Sequence, residues 1–180
     1  TNILNIYYNK IMEYLGIYDK DGREMPNKKI LRGDKSLADD EYIKLAIVWI
    51  KSNKKYLIQK SSTEKGGDFA VSGGHVPYGV SSREQASVEL QEELGVSINK
   101  DQLEFVGNIS LPHCIFDVYL YEDDSLINFS FALQESEVEA VYWLSEDEIN
   151  RLIKQGVFRN SSRLQYEKFF KSNDRTKNLE

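Results

Sequence analysis

The chain holds 180 residues, 41% hydrophobic and 29% charged with only three prolines, enough for one globular domain with a sizeable core. Its net charge of −6 and the lack of a Lys/Arg-dense stretch argue against a nucleic-acid polymer as partner. The single cysteine, Cys114, excludes an internal disulfide, no apolar run approaches the roughly 18 residues of a membrane span, and the start lacks a signal-peptide pattern, so a cytoplasmic location is expected.

Residues 1–15 mix Ile, Leu and Tyr with polar residues and fit a short helix or a strand; the start at Thr1 rather than Met leaves room for residues upstream. Tyr14 to Tyr18 reads as a strand and Asp21-Gly22 as a hairpin turn. Arg23 to Asp40, polar and holding Pro26 and Gly33, reads as an irregular connection. Residues 1–38 are thus expected to form an extension packed on the core, with apolar side chains that either cover it or meet a second subunit in a homodimer. Tyr42 to Ile50 is a nearly continuous apolar run, the mark of a buried central strand, and Tyr56 to Lys60 pairs back on it after a turn. Ser61 to Asp68 is a polar loop with Gly66-Gly67, and Phe69 to Val71 is a short strand leading into Gly73-Gly74.

The spacing then predicts a helix over residues 82–94. Ser81 and Glu84 fit a capping box, Ala86, Leu90 and Leu94 form an apolar stripe, and Gly95-Val96 fits a glycine C-cap. Leu103 to Leu111, Cys114 to Tyr121, Ile127 to Leu133 and Val138 to Leu144 read as strands. Ser145 and Glu148 form a second capping box for a helix ending near Gly156, and Asn160 to Ser162 cap a last helix bearing Leu164, Tyr166, Phe169 and Phe170. The order predicts one mixed α/β unit: a main domain at 39–156, then a C-terminal helix and tail at 157–180.

Glu89, Glu92 and Glu93 stand at i, i+3, i+4, on one side of the predicted helix. An acidic helix face is by itself most often solvated surface. Here it follows two glycines, which let backbone carbonyls and amides approach a ligand, and crowded carboxylates favour a hard divalent cation.

In this stretch Gly74, Glu89, Leu90, Glu92, Glu93, Gly95 and Val96 fall in register with the Nudix box, and the chain resembles that family. Leu57 to Lys60 and Glu137 to Trp143 resemble the family's flanking strands, most of all in the branch similar to isopentenyl diphosphate isomerases. The resemblance implies an α/β/α sandwich with a mixed β-sheet. It also implies a pyrophosphatase that uses a metal to direct water onto a nucleoside diphosphate linked to another moiety, or onto a similar small diphosphate. It makes Glu92, Glu93 and the Gly73 carbonyl ligands of Mg2+ or Mn2+, and Glu89 a ligand or the base that takes a proton from water. Glu137 or Glu139 would add a further acid; Lys60 and Lys65 are candidates for phosphate, and Phe69 and Tyr78 for stacking on a base.

Departures are informative. The box glutamate and arginine fall on Val80 and Val88, side chains that interact in the family; loss of both to apolar residues reads as compensation for a partly buried ion pair. Ser61 stands where the branch often has arginine. These changes leave a catalytically impaired ligand-binding module as an alternative. An isopentenyl diphosphate isomerase is a further one, although it would want a cysteine near the glycine turn and residues 69–75 hold none. His75, after the turn, and Cys114 are read as structural.

Overall fold

One long strand, Ile43–Ser52, is the spine of the molecule. The computed structural model describes residues 13–172; what was expected of residues 1–12 and 173–180 lies outside them. Strands β1 (Tyr14–Tyr18) and β2 (Glu24–Leu31) form an antiparallel hairpin, with Leu15 opposite Ile30. The first half of the stretch read as an irregular connection, Glu24–Leu31, is therefore a strand. Its side chains are mostly exposed and polar, with only Ile30 buried, so no hydrophobic alternation marks it; pairing with β1 makes it.

The spine strand, β3, runs parallel to β8 (Cys114–Glu122), from Ile43 opposite Cys114 to Lys51 opposite Glu122. β7 (Glu104–Leu111) pairs with the far side of β8, and only the Pro112-His113 turn joins them. β4 (Lys55–Ser61) meets β3 at the hairpin end alone, then pairs with β5 (Phe69–Ala70) and β9 (Val138–Leu144). Where β4 leaves β3, the glycine strand β6 (Ser72–His75) takes its place.

Helix α1 (Ser82–Leu94) covers one face of this mixed sheet, with Ala86, Leu90 and Leu94 packed on Ala46, Val48 and Ile50. α2 (Glu146–Lys154) and α3 (Asn160–Gln165, prolonged by a π-type turn at Tyr166–Phe170) cover the other, over Trp49, Ile58 and Val118. This is the expected α/β/α sandwich. Trp49 is fully buried and donates its indole N–H to Gln165 Oε1 at 2.9 Å, tying the spine to α3.

The expected strand over Ile127 to Leu133 does not form. Asp123 caps a 3-10 turn at Asp124–Asn128, and the chain after it bonds to the end of α1: Ala132 N–H to Leu94 O and Gln134 N–H to Glu93 O, each 3.0 Å. Helix carbonyls that lack an intrahelical partner thus take the place of a neighbouring strand. Among the described residues, no helix is long and apolar enough to cross a membrane.

Candidate active site

α1 begins and ends as its sequence dictates. Ser81 Oγ accepts the Glu84 N–H at 3.2 Å, and Gly95, at φ 71°, turns its N–H back to Gln91 O. Only half of the first capping box is made, because the Glu84 carboxylate pairs with Lys100. The box at Ser145 and Glu148 is complete.

These caps fix the carboxylates of α1 against β6. Gly73 and Gly74 lie opposite Ile47 and Ala46 of β3. A Cβ on Gly74 would run into the Glu89 carboxylate, and one on Gly73 into the Ala46 carbonyl, so the helix and β3 approach β6 where side chains are missing. Beside them opens a cavity of about 330 Å³. Its floor is Gly73, Gly74, Glu89, Glu92 and Glu93; Gln85 and Val88 extend it along α1. Gln134 and Glu137 wall it from the segment bonded to the helix end, and Glu13 and Arg32 from the N-terminal hairpin.

Glu93 is buried, and burial pushes its carboxyl up to about 7 against the pull of its hydrogen bonds. Ser72 Oγ donates to its Oε2 at 2.5 Å, and Gln59 Nε2 lies 3.4 Å from the same oxygen. Gln85 Nε2 donates to Glu89 Oε1 at 2.6 Å, while Glu92 is exposed. His75, half-buried on β6, is held below its usual range by burial first and by the Arg32 charge second.

Whether a divalent ion suits this cavity is decided by its donors. All are oxygens: a backbone carbonyl and carboxylates, the set preferred by Mg2+ and Mn2+. The buried Gln59 Oε1, on the side chain whose amide approaches Glu93, has no hydrogen-bond partner, although Gln59 does not itself line the cavity. Among the described residues no three acidic or imidazole side chains already stand close enough to hold an ion. An ion held here would need these long side chains, the exposed Glu92 above all, to rotate toward one another.

The remaining expected residues are dispersed. Lys60 Nζ pairs with Glu139 at 2.7 Å and Lys65 Nζ with Glu137 at 3.0 Å, so both lysines already face carboxylates. Glu137 precedes β9 rather than alternating with Glu139 along it, and of the two only Glu137 lines the cavity. Phe69 packs in the cluster behind the sheet, with its ring 6.0 Å from that of Tyr142. Tyr78 is exposed and lies near Lys29 of the hairpin, outside the cavity lining. The Ser110 to Asp117 segment is strand on both sides of its Pro112-His113 turn, as expected of Leu103 to Leu111 and Cys114 to Tyr121, and also lies outside that lining. Val88 is 38% exposed, and neither Val80 nor Val88 joins a core cluster. Val88 is thus partly exposed beside the carboxylates of α1. Sequence reading missed Arg32 and Glu13, which no local motif marks.

Comparison with known proteins gives the family and the fold. The NUDIX domain model matches residues 43–165, and the chain belongs to the Nudix family. Over 155 residues it is 29% identical to Nudix hydrolase 3 of Arabidopsis thaliana, covering 76% of this chain but 19% of that longer protein. It is 24% identical to an uncharacterized Nudix hydrolase of Listeria monocytogenes, over 77% of this chain and 83% of the relative. The crystal structure of DR0079 from Deinococcus radiodurans superposes with a TM-score of 0.73 at 17% identity, covering 88% of this chain and all of that one. A bifunctional NMN adenylyltransferase/ADP ribose pyrophosphatase from Francisella tularensis, complexed with AMP and a Mn ion, matches with a TM-score of 0.54 at 14% identity, over 70% of this chain and 41% of its own.

Proposed function

We propose that the chain is a Mg2+- or Mn2+-dependent hydrolase of a nucleoside diphosphate linked to another moiety, or of a similar small diphosphate. The observation that carries this reading is the convergence of Gly73, Glu89, Glu92 and Glu93 on one cavity, in a chain of the Nudix family. A small phosphorylated molecule, rather than a polymer, suits a cavity of about 330 Å³. The Mn-bound state of one structural neighbour supports the choice of ion.

Glu92, Glu93 and the Gly73 carbonyl would hold the ion. Once bound, it would offset charge on the phosphoryl oxygens and lower the pKa of a water. Glu89, which accepts a hydrogen bond from the Gln85 amide, would complete the ligand set or take the proton from the attacking water. Ser72 and Gln59 keep Glu93 turned toward β6. Glu137 is the further acid of the cavity, restrained by Lys65.

The test is phosphate or nucleotide release from a panel of diphosphates with Mg2+ or Mn2+, beside the Glu92→Gln, Glu93→Gln double variant. Release by the native chain and loss of it in the variant are expected. Release no higher than the variant's would sink the hydrolase reading and leave a ligand-binding module.

A further inference from the structure

We infer that Arg32, on the N-terminal hairpin, is the residue that contacts the phosphates of the substrate, and that the hairpin is therefore a working wall of the site. This rests on the reading of the cavity as a diphosphate site. Among the cavity-lining residues the acidic ones are Glu13, Glu89, Glu92, Glu93 and Glu137, and Arg32 is the one that carries positive charge. A polyanion entering such a space needs cations beyond those that offset the carboxylates of α1.

Arg32 is built into position. β2 presents it at its last turn, just past Leu31, and its N–H donates to the Glu13 carbonyl at 2.8 Å. One Nη group pairs with the Glu13 carboxylate at 2.8 Å. The side chain is 38% exposed, so the guanidinium reaches the cavity without being sealed beneath it. Clamping one side of the fork lowers the entropy lost when the other N–H donors meet a phosphate, and the planar fork matches paired phosphate oxygens as an ammonium does not. Lys60 and Lys65 are less suited because neither lines the cavity; each is paired, as Arg32 is, but an ammonium has no second arm of a fork to turn to a phosphate.

The experiment is calorimetric titration of imidodiphosphate, whose P–NH–P bridge resists hydrolysis, into the Mn2+-loaded chain. Arg32→Ala is expected to weaken binding about 10- to 100-fold, the range of a lost charge-assisted pair, with affinity for Mn2+ alone within about threefold of native. Arg32→Lys keeps the charge and the fold and is expected to bind about fivefold or more weakly, because the fork is gone. It carries the test if Arg32→Ala does not fold. Native-like binding by the Arg32 variants overturns the proposal, as does an equal loss in Lys60→Ala, or failure of the native Mn2+-loaded chain to bind the probe. Binding that depends on Arg32 in a chain that turns over no diphosphate would refute the hydrolase reading and leave this one standing.

Discussion

The Ser72 hydroxyl of β6 donates to Oε2 of Glu93 on α1 at 2.5 Å, and both side chains are almost wholly buried, at 3% and 6% exposure. This bond offsets part of the cost of a carboxylate that burial disfavours. Removing the donor leaves that oxygen with the longer contact to Gln59. Ser72→Ala is therefore expected to destabilise the chain by about 1–3 kcal/mol in chelator, measured by urea denaturation. Glu93→Gln removes the charge and is expected to match or exceed native stability above neutral pH, as residues given to a site at the expense of the fold do. A Glu93→Gln variant less stable than Ser72→Ala would show that the buried carboxylate is not a cost.

The paired glycines separate fold from site. An added methyl at Gly73 meets the backbone carbonyl of Ala46, which cannot move without breaking the β3–β6 register. At Gly74 it meets the end of the Glu89 side chain, which can swing away. Gly73→Ala is expected to cost about 2 kcal/mol or more in thermal denaturation. Gly74→Ala is expected to cost less than about 1 kcal/mol yet weaken Mn2+ binding tenfold or more, since it displaces a carboxylate. Equal effects of the two changes on stability would contradict this division.

What the sequence disclosed about this molecule was what it encodes locally. The caps of α1, its stripe of Ala86, Leu90 and Leu94, and its three carboxylates all follow from spacings of three and four, and the helix runs Ser82–Leu94 as expected. The apolar run at Tyr42 to Ile50 announces a strand buried on both faces. Long-range pairing carries no such mark. Lys60 and Glu139 meet although 79 positions apart, so a lysine that reads as free for phosphate is engaged. Phe69 stands close to the glycine turn in sequence, yet strand alternation turns it behind the sheet. β2 lacks alternation, so neither it nor Arg32 at its end was legible.

Val88 offers a prediction that follows from its exposure. A side chain 38% exposed at the cavity need not be desolvated, so Val88→Arg is expected to change stability by less than about 0.5 kcal/mol, without help from Val80→Glu. Were the two sites one buried pair, the single charge would cost several times more and the double variant would recover it. A double-mutant cycle in urea decides between them: coupling near zero is expected, and a coupling above about 1 kcal/mol would bear out the compensation argument.

Arg159 grips Asp68 through two parallel bonds, Nε to Oδ2 at 2.8 Å and Nη2 to Oδ1 at 2.6 Å, and also donates to Ser61 Oγ at 2.8 Å. Its backbone N–H donates to Phe69 O at 2.7 Å, so one residue at the head of α3 fastens the end of β4, the glycine loop and β5. Burial pushes the Asp68 carboxyl up, but the Arg159 guanidinium pulls it down further, and it sits below the ordinary carboxylate range. A carboxylate whose folded-state pKa is depressed contributes stability above its unfolded value, about 3.9, and loses it as pH falls through the folded value. Asp68→Asn is therefore expected to be less stable than native near neutrality by on the order of 1 kcal/mol, modest because the pair is about a third exposed. The gap should narrow as pH drops below about 4, where native Asp68 also takes up a proton. Urea midpoints for both chains across that pH range measure it. A gap that stays constant into acid would mean that Asp68 acts through its shape and hydrogen bonds rather than through its charge.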